Sequence, residues 1–247
     1  MNSKSNPLAL AVAVAALSLG AAAQAQMLDS MKFTGINLGN NNAATVLNYY
    51  NGGLSGAGTT GGTAADYGVA FGTDAEAENS TYSKENFADN PSGASGSSAV
   101  LYFGYTSSTS SNYTAYNSMN VAGGFEALSF YYSSTGAYGT AGSGTPSVAL
   151  YSGLNGTGTL LGTIDLSVND VSGDGCATGK SYCVWNYAST TLGAGQVAQS
   201  AVFSNASEYT YFDTVQIQAV PEPSSFALAA AGLVAVAGLA SRTRRRA

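Results

Sequence analysis

From about residue 45 to 218 the chain alternates between short apolar or aromatic runs and clusters of Gly, Asn and Ser, and helical periodicity is hard to find. The pattern predicts nine short strands, at 45–50, 67–72, 99–105, 125–133, 147–151, 159–166, 182–187, 197–203 and 211–218. The cleanest period-two stretch is FEALSFYYS, which sets Leu128, Phe130 and Tyr132 on one face and Ala127, Ser129 and Tyr131 on the other. In TLLGTIDL the same rule puts Leu160, Ile164 and Leu166 together. In YFDTVQIQ it places Asp213 beside Val215 and Ile217, where a carboxylate needs partners. Asn155-Gly156, between two such runs, fits a turn with positive φ. Polar stretches at 52–62, 107–111 and 136–144 read as loops. No fixed-period repeat is present, so the expected fold is all-β, a β-sandwich or jelly-roll-like domain.

The two ends have a different pattern. Residues 1–7 hold Lys4, residues 8–23 are apolar, and Ala23 and Ala25 form an A-x-A-like cleavage site, as in a signal peptide over 1–25. Near the other end, Pro221, Glu222 and Pro223 precede an uncharged run at 226–240, and Arg242, Arg244, Arg245 and Arg246 follow it. Fifteen helical residues at about 1.5 Å each reach about 22 Å, less than the roughly 30 Å of a bilayer core, so this transmembrane helix makes a marginal anchor. The arginines act as a cytoplasmic stop and leave everything before Pro221 outside. The prolines fix φ and remove two backbone donors, so the chain there stays extended and readable.

These residues resemble the PEP-CTERM sorting signal, over 219–247. The resemblance implies an exported protein of a Gram-negative bacterium that is read and cut by an exosortase. It would pass transiently through the inner membrane and end at the cell surface, in a biofilm or in the extracellular matrix. The motif also occurs on some ice-binding proteins. Such tails are joined to mature domains of many kinds, and the hairpin at 150–166 with the late strand at 211–218 resembles the jelly-roll-like domains of this group.

Between the two signals lie residues 26–218. Up to Ala219 this region has thirteen acids and three lysines, Lys32, Lys84 and Lys180, for a net charge near −10. With no arginine there, nucleic acid is excluded as a partner. The chain has no histidine, which removes Ser-His-Asp and Cys-His catalysis and the common zinc sites. What survives is chemistry run by carboxylates or tyrosine, and the resemblance implies a structural protein associated with exopolysaccharide, expected not to be an enzyme and to require no cofactor.

Several local patterns offer chemistry. Cys176 and Cys183 are the only cysteines, and in an exported chain they are expected to form a disulfide. Asp170, Ser172 and Asp174 have the spacing of the first positions of a calcium loop but lack the closing Glu. Both a looser calcium site and a solvated Gly-Asp-Gly turn fit them. Asp74, Glu76 and Glu78 lie on one side if extended, and suit a cation, a carboxylate-based glycan hydrolase or a plain acidic edge. Tyr49 and Tyr50, with Tyr113 and Tyr116, sit among amides and hydroxyls. They are candidate glycan contacts, or simply tyrosines that suit strands. A calcium-assisted lectin is the alternative reading.

Overall fold

A computed structural model describes residues 30–79, 99–104, 110–135, 145–169, 182–204, 210–220 and Gly232. The chain divides into two compact units, Met27–Ala219 and a second made of Met1–Gln26 with Val220–Ala247. Of the second, Val220 and Gly232 alone are described, Gly232 as an exposed helical residue. The signal-peptide segment with Ala23 and Ala25, the Pro-Glu-Pro triplet and the arginines lie outside the described residues, as does 226–240 apart from Gly232. Among the described residues no helix is long and apolar enough to cross a membrane.

Met27–Ala219 is all-β. Its strands are β1 (Ala43–Thr45), β2 (Val69–Phe71), β3 (Ala75–Asn79), β4 (Ala99–Phe103), β5 (Ser118–Ser134), β6 (Ser147–Tyr151), β7 (Leu160–Asp165), β8 (Asn186–Thr191), β9 (Ala198–Ser204) and β10 (Thr210–Ala219). Every pairing is antiparallel, in the order β1-β3-β4-β10-β5-β9-β6-β7, with β2 and β8 also on β5.

The long β5 makes this ladder a sandwich. Its first part, Met119–Val121, pairs with β2, Ser118–Asn120 and Phe125 pair with β9, and the chain pairs with β10 from Phe125 onward and with β8 from Ala127 onward. Between them the register breaks and Gly124 takes φ +80°, a conformation that costs an L side chain about 1–2 kcal/mol. A Cβ there would also lie 2.3 Å from Val197 Cγ1. The chain thus bends from one layer, β2-β5-β9-β6-β7, into the other, β1-β3-β4-β10-β5-β8.

Aromatic rings close the space between the layers. Phe203 of β9 stacks on Phe103 of β4 at 4.4 Å and meets Phe212 of β10 edge-on at 4.9 Å; Phe130 of β5 reaches Phe212 at 5.3 Å. All four are fully buried, each contributing about 1.5–3 kcal/mol of burial, with about 0.5–1.5 kcal/mol more for each ring pair. Leu128, Phe130 and Tyr132 all face this core, as their alternation predicts.

Other expectations are corrected. Among the described residues ten strands form rather than nine: residues 47–50 are a turn after the short β1, and the acidic stretch becomes β3. β8 starts at Asn186, where the sequence pattern places the end of a strand. Leu160 is 52% exposed, since the β6–β7 register shifts between Leu150 and Tyr151 and turns it away from Ile164 and Leu166. Asp213 is buried, but a bulge between Asp213 and Gln216, with Thr214 at φ +54°, breaks the alternation that would align it with Val215 and Ile217. Asn155 and Gly156 do adopt positive φ, +56° and +70°, in the β6–β7 hairpin. The 52–62 loop is folded on itself by a bridge between Leu54 and Thr60.

Candidate functional site

The four tyrosines named from sequence do not form one surface. Tyr50 is 2% exposed: its ring lies against Phe33, Tyr67 and Phe71, and its hydroxyl donates to the Lys32 carbonyl at 2.6 Å. Burial, and then the neighbouring Tyr49, Tyr67 and Asp213, hold its pKa well above the ordinary tyrosine value, so it remains a donor. It is a core residue, not a glycan contact, because the turn after β1 folds its ring inward. Tyr49 is half-buried and edge-on to Tyr50 at 5.0 Å. Tyr113 and Tyr116 are half-buried on a single helical turn, α1 (Tyr113–Tyr116), and Asn112 Nδ2 donates to the Tyr116 hydroxyl at 3.1 Å.

Cys183 is held in a disulfide. Cys176, its expected partner, lies outside the described residues, as do Asp170, Ser172 and Asp174. Among the described residues no group of three His, Cys, Asp or Glu side chains is placed to hold a metal ion.

The register of the second layer assembles a different constellation. Residues paired across strands point to the same face. Pairings of Thr45 with Glu76, Glu76 with Tyr102, Tyr211 with Ser133, and Tyr131 with Tyr187 fix one outer face, opposite the core residues Ala77, Leu101, Phe212 and Tyr132. It runs across β3, β4, β10, β5 and β8, four strand intervals or roughly 19 Å at about 4.8 Å each.

At the β8 end Tyr187 is 57% exposed and its ring lies 5.2 Å from that of Tyr131. Ser189 and Thr191 on β8 and Gln216 on β10 flank the pair, joined through Ser129 and Ala127 on β5. The Ser129 hydroxyl is buried and has no hydrogen-bond partner. Midway, Tyr182 meets Tyr211 edge-on at 4.4 Å, Tyr102 lies 5.7 Å from Tyr211, and Trp185 packs on the same cluster. At the β8 end the exposed Tyr187 ring and the half-buried Tyr131 ring stand beside hydroxyls and an amide, whereas Tyr182 and Tyr211 midway are buried. The signal of this face was present in FEALSFYYS, where Tyr131 is the aromatic on the polar side of the alternation.

At the β3 end the face opens into a cleft of about 490 Å³ between Leu38–Asn40, β1 and Gly56–Ala57, with Glu76 in its wall. Burial, and secondarily the Asp74 carboxylate, raise the pKa of Glu76 above the usual carboxylate value. Glu78, two residues on, is buried, so of the two Glu76 is the one that meets the cleft.

No curated protein matches the chain. Among solved structures it is similar to the carbohydrate binding module CBM6cm-2 from Cellvibrio mixtus lichenase 5A, in complex with cellotriose, at 12% identity and a TM-score of 0.30, covering 60% of this chain and 89% of that one. It is also similar to the K2 cleaved adhesin domain of Lys-gingipain, at 17% identity and a TM-score of 0.34, covering 58% and 82%. A family model described as the PEP-CTERM protein-sorting motif matches residues 219–246. Those residues are therefore a PEP-CTERM protein-sorting motif, which marks the chain for export to the cell surface through an exosortase.

Proposed function

We propose that this chain is a non-enzymatic surface or matrix protein that, once sorted and cut, associates with extracellular polysaccharide through the face around Tyr131 and Tyr187. The observation that carries this reading is that ring pair, with Tyr187 exposed and Tyr131 half-buried, set among Ser189, Thr191 and Gln216. Sugars present apolar C–H faces and many hydroxyls. An aromatic ring stacks on the first, and side-chain hydroxyls and amides pair with the second. The sorting motif supports the reading, since it marks the chain for export to the cell surface.

Binding of the protein to its own cells' extracellular polysaccharide tests it. Tyr187→Ala is expected to weaken retention about tenfold, corresponding to about 1.4 kcal/mol. Retention equal to the unchanged protein would remove the tyrosine pair from the reading. No cofactor is required, so chelation with EDTA is expected to leave binding unchanged. Loss of binding in EDTA that calcium restores would favour a calcium-assisted lectin instead.

A further inference from the structure

The Glu76 cleft deepens that reading and rests on it. Glu76 stands on β3 between Thr45 and Tyr102, on the same outer face as Tyr131 and Tyr187. The cleft wall is otherwise uncharged, formed by Leu38, Asn40, Thr45, Ala57 and backbone, and its volume falls within the range of small-ligand sites. Among the described residues the Glu76 carboxylate makes no hydrogen bond or ion pair. Those residues include seven carboxylates, Asp66, Asp74, Glu76, Glu78, Glu126, Asp165 and Asp213, against one lysine, Lys32. A half-buried carboxylate without a partner in an otherwise uncharged wall is best complemented by a small cation that can also hydrogen-bond.

We propose that Glu76 receives the ammonium group of an amino sugar, so that the polysaccharide held by this face is one that carries free amines. The Thr45 hydroxyl and the Asn40 amide, in the same wall, offer hydrogen bonds to the hydroxyls of that sugar unit. The Tyr131–Tyr187 pair lies roughly 19 Å away on the same face, beyond the buried cluster of Val100, Tyr182 and Tyr211. An anionic polymer would meet repulsion at the same place.

The test uses the full protein and its own cells' extracellular polysaccharide, either untreated or with its free amines blocked by acetic anhydride. The expected result is that blocking the amines weakens retention at least tenfold, and that Glu76→Gln holds both polymers equally, at the weaker level. Equal retention of both polymers by the unchanged protein, or a preference that survives in Glu76→Gln, overturns the ammonium site and leaves the polysaccharide reading standing. Retention of neither polymer overturns both. A melting temperature of Glu76→Gln no lower than that of the unchanged protein assigns the lost preference to the carboxylate rather than to misfolding.

Discussion

Thr214 shows how one residue can be costly in an otherwise regular strand. It is β-branched at φ +54°, a conformation worth about 1–2 kcal/mol against an L side chain. Its hydroxyl is also buried without a hydrogen bond, at a further cost of about 1–3 kcal/mol. Thr214→Gly removes both penalties, and thermal unfolding should show a melting temperature several degrees higher. A lower value would mean that the bulge depends on the threonine itself. Glu76 behaves in a related way. Its pKa is higher in the folded chain, so its contribution to stability is fully present below the unfolded pKa and is lost as pH rises through the folded one. Glu76→Gln should therefore melt higher than the unchanged protein at neutral pH, with the difference shrinking as pH falls into the carboxylate range. A difference that does not change with pH contradicts this account. The residue that would bind the ligand is thus one the fold pays to keep charged.

At the scale of elements, the β6–β7 hairpin and the bend of β5 both depend on left-handed backbone. In the hairpin, Asn155 accepts from Asn120 Nδ2 at 3.0 Å, its own amide donates to Asn120 Oδ1 at 2.7 Å, and the Gly156 amide donates to Ser200 Oγ at 2.9 Å. A Cβ on Gly156 would stand 2.7 Å from both Thr114 and Val202. Gly156→Ala should therefore cost about 2 kcal/mol or more by denaturant unfolding, and an unchanged midpoint would show that the hairpin can move away from α1 and β9. The Asn-Gly turn was legible because its chemistry is local, and so was the core face of β5, where three large apolar residues alternate. β3 was not, because Ala75 and Ala77 alternate with acids and resemble an exposed polar edge, although both alanines are fully buried. Tyr50 was misplaced for the opposite reason. A pattern of rings and amides shows composition, but only the turn after β1 decides that this ring packs under Phe33.

For the whole molecule, the sorting motif could be read directly, since it occupies one continuous stretch at 219–246. The proposed binding face could not, because Glu76, Tyr131 and Tyr187 come from three strands and share a face only through the register of the sheet. The motif makes its own prediction. Replacing Pro221 and Pro223 by Ala restores two backbone donors and lets a helix begin earlier. Cell fractionation should then find the full-length protein kept in the membrane, and normal release would show that the prolines are not what the exosortase reads. The measurement that bears most directly on the central claim is retention of the protein, recovered from its own cells' surface, on those cells' extracellular polysaccharide, beside a Tyr131→Ala, Tyr187→Ala double variant. The account predicts that the unchanged protein is held and the folded variant is released. Release of both, or equal retention of both, would contradict it.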